Sequence, residues 1–261
     1  PKNYRSAKLL DLMLPKRDET RLREALGINN KPNDIALLHD EICQMLTQEV
    51  QEASGEVGIM VFSDESFISE LCHDGWVASL YEFLSGLFDE VIVFCYVRRQ
   101  DQWLSSSFSE ILRRGFAPID LFNLTTSDVF LKKRRLLEYH NRYKQWSKYF
   151  GEANVIFKPF LKENFYSHNL VADFCHTLDL PFFEGKEEFQ ENVSINVDGQ
   201  LILLAANKLL ENKQLDASTQ KKCVAYLNQH YTGKGFVPDD KQIKVIKNYY
   251  LSISFLSSLT G

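Results

Sequence analysis

The 261-residue chain predicts a three-layer α/β fold, a parallel sheet covered by helices, with an all-helical C-terminal portion. Three observations carry that expectation. Short apolar runs and helical patterns alternate through the middle of the chain, as a parallel sheet with helical crossovers requires. The apolar runs are unbroken, as in strands buried on both faces. From Asp198 onward the apolar spacing is helical throughout. With 44% hydrophobic and 13% aromatic residues the chain can bury a large core. We expect a single domain over 1–261, with an α/β core at 1–180 and a helical portion at 192–261.

Taken in order, "SAKLLDLML" and "IALLHDEICQMLTQEV" read as helices joined by a charged, partly helical connection. "VGIMVF" (57–62) reads as a buried strand, "GWVASLYEFLSGLF" (75–88) as a helix and "VIVFCYV" (91–97) as a second strand. The basic pair Arg98–Arg99 follows. Asp101 suits the N-cap of the next helix, Leu104, Phe108, Ile111 and Leu112 mark its buried face, and Gly115 closes it. In residues 130–150, Leu136, Leu137, Tyr139, Tyr143, Trp146 and Phe150 recur at helical spacing up to Gly151, a C-cap. "NVIFKPF" (154–160) supplies a third strand and 169–181 a third crossover helix. Pro181 to Glu191 marks the boundary with the helical portion, whose helices are expected at 198–212, 216–231 and 239–257.

A net charge of −5 excludes bulk nucleic-acid binding, which needs a basic excess against phosphates, so any anion site is local. The five cysteines are widely spaced with no CxxC pair, which suggests neither a disulfide framework nor a zinc site. No apolar stretch reaches the roughly 20 residues of a membrane span. "PKNYRSAKLL" lacks the apolar centre of a signal peptide. The expected compartment is the cytoplasm, with a secretory lumen as the alternative should the true N-terminus lie upstream.

In an open parallel sheet, ligands bind beyond the carboxyl ends of the strands, where helix N-termini point free N–H groups at the site. Arg98 stands at such an end, and Ser106 lies early in the following helix, away from its apolar face. A planar, permanently charged donor fork and a hydroxyl approaching from another direction suit a phosphate monoester. The plainer reading is that the arginines solvate a strand end and the serines cover an exposed helix face.

"YVRRQDQWLSSSFSE" resembles the segment by which sulfotransferases using 3'-phosphoadenosine 5'-phosphosulfate hold the nucleotide's 3'-phosphate: an arginine at a strand end and a serine eight residues later. Arg98 and Ser106 match it, and Arg99 with Ser107 ranks second. "VFSDESF" (61–67) is similar to the strand-end S-x-E segment of the bacterial, carbohydrate-type branch, with Ser63 and Glu65 in the matching places. "NVIFKPFLKENF" with the helix after it, and "NVSINVDGQLILLAANKLL" (192–210), resemble the later segments of that branch. The likeness runs from about residue 55 to the C-terminus, and its specific part is the Arg–Ser pair.

The resemblance implies a fold of the P-loop type and transfer of a sulfuryl group from 3'-phosphoadenosine 5'-phosphosulfate to a hydroxyl of a carbohydrate or small metabolite, with no metal. It implies Glu65 as general base, with His73 the alternative. The family opens with a Pro-Lys-hydroxyl-Gly-hydroxyl-hydroxyl loop that cradles the 5'-phosphosulfate. Here Pro1, Lys2 and Ser6 match that loop, but Tyr4 stands in the glycine place, where a Cβ obstructs close backbone approach to phosphate. That departure brings in a second reading, a non-catalytic relative binding a nucleotide or glycan. A P-loop kinase is disfavoured, because no Walker loop or magnesium-binding aspartate after a strand is evident. "KKRR" (132–135) could receive an acidic glycan or the nucleotide, or form a solvated helix face.

Overall fold

The computed structural model describes residues 32–53, 58–63, 67–68, 74–117, 137–182 and 194–249. In chain order the elements are α1 (Pro32–Ala53), α2 (Asp74–Ser85), β1 (Val93–Val97), α3 (Gln100–Arg113), α4 (Tyr139–Phe150), β2 (Val155–Pro159), α5 (Leu170–Thr177), α6 (Val197–Glu211), α7 (Ala217–His230) and α8 (Asp240–Tyr249). The fold is mixed α/β and mostly helical. Its sheet, among the described residues, is the parallel pair β1–β2.

The chain divides into two compact units, 1–95 with 138–157 and 96–137 with 158–261. In the first, α2 buries Val77, Leu80 and Leu84, and α4 buries Tyr139, Trp146 and Phe150. Both sets recur at helical spacing, so each helix has one apolar stripe. The two helices meet where Tyr81 stands edge-on to Phe150, ring centroids 5.2 Å apart, and Lys148 bonds Asp74 at 2.8 Å. Gly151 ends α4 as expected, its N–H bonding the carbonyl of Ser147.

The strand expected at 57–62 differs. Residues 58–62 carry no strand pairing among the described residues, and Ile59 and Val61 are more than half exposed, at 54% and 57%. An apolar run signals burial, but a strand exists only where a neighbour takes up its amides and carbonyls.

The second unit is built on α3. Its core joins Phe108 and Leu112 of α3 to Ile195, to Leu203 of α6 and to Leu227 of α7, with Phe236 edge-on to Phe108 at 5.7 Å. α3 begins one residue after Arg99, whose ψ of 138° is extended, so Asp101 is not the N-cap. It lies in the first turn, where its carboxylate accepts two bonds from Arg99, at 3.0 Å from Nε and 2.6 Å from Nη2. A carboxylate held by a bidentate guanidinium is drawn away from the capping amides. Beyond α3, Gly115 takes φ +92°, the left-handed turn that glycine adopts without a Cβ clash.

In the same unit α5 starts behind Asn169, whose side chain accepts from the amides of Val171 and Ala172. The helical portion matches expectation to within a residue at α6, α7 and the start of α8. Asn196 and Asp216 cap α6 and α7 through their side chains. The described part of the boundary segment ends at Phe182.

Candidate functional site

The site is best built from the carboxyl end of β1. The amide of Phe160, just beyond β2, donates to the carbonyl of Val97 at 2.7 Å. That bond continues the strand pairing by one step and seats Phe160 beside the first residue after β1, Arg98. The Arg98 guanidinium carbon lies 4.5 Å above the centroid of the Phe160 ring, a distance at which the ring's negative face attracts the cation. The neighbouring Arg99 turns instead to Asp101, so the two arginines have different surroundings.

The serine run is sorted by the packing of α3. Ser107 and Ser109 are buried, each 6% exposed. Ser105 is half-buried and donates to the carbonyl of Asp101 at 3.0 Å. Ser106 is exposed, on the face opposite Leu104, Phe108 and Leu112. It sits about 9 Å along the helix axis from Gln100 at the usual rise per residue. Arg98 and Ser106 thus belong to one strand–helix junction, the arginine at its base and the serine nearly two turns up. In the second-ranked pair Arg99 is exposed and bonded to Asp101, while Ser107 is buried.

Glu65, His73, Lys2 and Ser6, like residues 132–135, lie outside the described residues. Ser63 is described and exposed. Among the described residues, no group of three or more His, Cys, Asp or Glu side chains is placed to hold a metal ion. The four described cysteines are half-buried, and Cys95, next to the strand end, has its thiol pushed up to about 12 by burial.

Beneath Phe160 lies a feature that the sequence reading missed. The ring meets Phe165 edge-on at 5.1 Å and Tyr96 at 6.0 Å. The Tyr96 hydroxyl donates to Asp173 at 2.6 Å, and Lys158 of β2 donates to the same carboxylate at 2.8 Å. The amide of Tyr166 adds a third donor at 2.8 Å. Asp173 is 1% exposed. Burial alone would push its carboxyl up, but the bonds from Lys158, Tyr96 and the Tyr166 amide outweigh burial and hold it below the usual carboxylate range. Burial, then the bond to Asp173, pushes the Tyr96 hydroxyl well above its ordinary value, so it stays a donor. Lys158 also donates to Thr177 at 2.9 Å, which donates in turn to the carbonyl of Asp173. The signals were present: a lysine inside an apolar strand, and an aspartate on the apolar face of "LVADFCHTLDL".

The far end of α3 is fixed by amides. Asn207, fully buried, donates to the carbonyls of Leu112 and Phe116 at 2.7 and 2.8 Å. Gln220 donates to the carbonyl of Arg113 at 3.3 Å and to Asn207 at 3.2 Å.

Compared with known proteins, the chain is 25% identical over 169 residues to an uncharacterized protein of Archaeoglobus fulgidus, a match covering 64% of this chain and 43% of that protein. It therefore spans less than half the length of that relative. No protein-family model matches the chain, and no solved structure matches it. No described helix is long and apolar enough to cross a membrane.

Proposed function

We propose that this protein is a sulfotransferase of the P-loop, three-layer type, moving a sulfuryl group from 3'-phosphoadenosine 5'-phosphosulfate to a hydroxyl of a carbohydrate or small metabolite. The observation that carries the reading is the junction after β1. Arg98 stands at the end of a parallel strand, and Ser106 is exposed nearly two turns into the next helix while Ser107 and Ser109 are buried. A fixed cation and a solvent-facing hydroxyl rising from one junction suit a phosphate on a ribose ring.

On this reading Arg98 and Ser106 hold the 3'-phosphate, and Lys2 and Ser6 contribute at the 5'-phosphosulfate. Glu65 takes the proton as the acceptor oxygen forms its bond to sulfur, with His73 the alternative base, and 3'-phosphoadenosine 5'-phosphate leaves. The protein's part is positioning and the stabilisation of spreading negative charge. Tyr4 in the glycine place favours a second reading, a non-catalytic relative that binds a nucleotide or glycan.

Thermal unfolding with 3'-phosphoadenosine 5'-phosphate tests both. A ligand at 100 times its dissociation constant stabilises the native state by about 2.7 kcal/mol, and Arg98→Ala should remove that gain. No shift in the wild type, or an equal shift in Arg98→Ala, overturns the assignment. Turnover of the sulfate donor by wild type and not by Glu65→Gln separates the enzyme from the silent binder.

A further inference from the structure

We propose that Phe160 is a positioning residue for Arg98: its ring holds the guanidinium in one orientation, so that the phosphate meets a fixed donor fork. The inference rests on the reading of Arg98 as the phosphate ligand. Three observations place the ring in that role. The Phe160 amide is bonded to the carbonyl of Val97, so its backbone is registered against the residue next to Arg98. The guanidinium lies 4.5 Å over the ring centroid. The ring is itself held, with Phe165 edge-on at 5.1 Å and Tyr96 edge-on at 6.0 Å.

Those two aromatics are also tied to each other and to a polar base. Tyr96 meets Phe165 at 5.6 Å and donates to Asp173, which 1% exposure leaves almost out of water. The platform under the arginine is therefore anchored at its far side by a buried carboxylate. An arginine side chain is rich in rotamers, and fixing it before the ligand arrives lowers the entropy lost on binding. A leucine in place of Phe160 keeps apolar bulk and removes the π face that attracts the cation.

The test compares 3'-phosphoadenosine 5'-phosphate with adenosine 5'-monophosphate, which lacks the 3'-phosphate, by calorimetric titration of the full chain. In Phe160→Leu the preference for the 3'-phosphorylated nucleotide should fall about three- to tenfold. Phe160→Tyr, which keeps the ring, should restore it. Affinity for adenosine 5'-monophosphate should not change. An unchanged preference in Phe160→Leu overturns the inference, and so does equal weakening for both nucleotides, the mark of a merely structural lesion. Arg98→Gln distinguishes the underlying reading: it should abolish the preference outright, and if it does not, Arg98 is not the phosphate ligand and both proposals fall. If Arg98→Gln acts and Phe160→Leu does not, only the role of Phe160 falls.

Discussion

Asp173→Asn is the substitution whose consequence can be worked furthest from the structure. The carboxylate accepts from Tyr96 at 2.6 Å and from Lys158 and the Tyr166 amide at 2.8 Å. Asparagine keeps the shape and one oxygen, but turns the other acceptor into a donor that faces donors. A hydrogen bond to a charged group contributes about 1.5–3 kcal/mol. Two such bonds are lost, while Lys158, with its side chain 29% exposed, regains part of its hydration. The expected loss is about 3 kcal/mol at pH 7, or roughly 6–12 °C in Tm for a chain of this size. Burial works against the Asp173 carboxylate, yet the bonds from Lys158, Tyr96 and the Tyr166 amide prevail and lower its pKa. A depressed folded-state value means that the stabilisation is fully present above the ordinary carboxyl value near ~4, and is lost as pH falls through the folded value. The stability gap between wild type and Asp173→Asn, measured by urea unfolding with circular dichroism, should be flat between about pH 5 and 8 and narrow below about 4. A gap under about 1 kcal/mol at pH 7, or one that widens on acidification, would refute the reasoning.

Two further substitutions probe the helical portion. Asn207→Leu strips the Phe116 carbonyl of its bond and removes one of the two acceptors of Gln220, so unfolding should show a loss of about 2–3 kcal/mol, where a loss below about 0.5 would mean the amide is dispensable. Gly199→Ala would drive a Cβ against Ile195 and to 2.7 Å from the Cβ of Tyr231, and urea unfolding should show about 1–3 kcal/mol of overpacking, whereas wild-type stability would mean that α6 shifts freely.

Elements whose evidence is local were legible in the sequence. β1, β2 and the helices from α5 onward fall close to where apolar spacing and caps put them, because those signals are complete within a few residues. Strand pairing is not local, and residues 58–62 show it: the run is apolar like β1, but nothing in it says whether a neighbour lies beside it. Asp101 failed as a cap because α3 starts at Gln100, which puts Asp101 inside the first turn and within reach of Arg99. At the site, the Arg98–Ser106 spacing could be read within one segment. Phe160 could not, because only the parallel register of β2 against β1 brings it beside Arg98. The ties of Asp173 to Tyr96 and Lys158 likewise join α5 to both strands.

The helical portion bears on the proposed phosphate site through α3, the helix that carries Ser106. An α-helix leaves its last four carbonyls without intrahelical partners, yet in α3 each has one. Glu110 and Ile111 accept from the amides of Arg114 and Phe116, Leu112 from Gly115 and Asn207, and Arg113 from Gln220. Two of these donors are side chains of α6 and α7. At the other end, buried Gln100 donates to the carbonyl of Leu137 at 3.4 Å, and Arg99 holds Asp101. The buried face of α3 between these ends packs on Leu203 and Leu227. A helix held at both termini and along one face has little freedom to tilt, which keeps an exposed hydroxyl two turns from the strand end at a fixed offset from it. On the proposed reading, that is how α6 and α7 serve an anion they do not touch. Loosening them through Asn207→Leu should then weaken 3'-phosphoadenosine 5'-phosphate more than adenosine 5'-monophosphate.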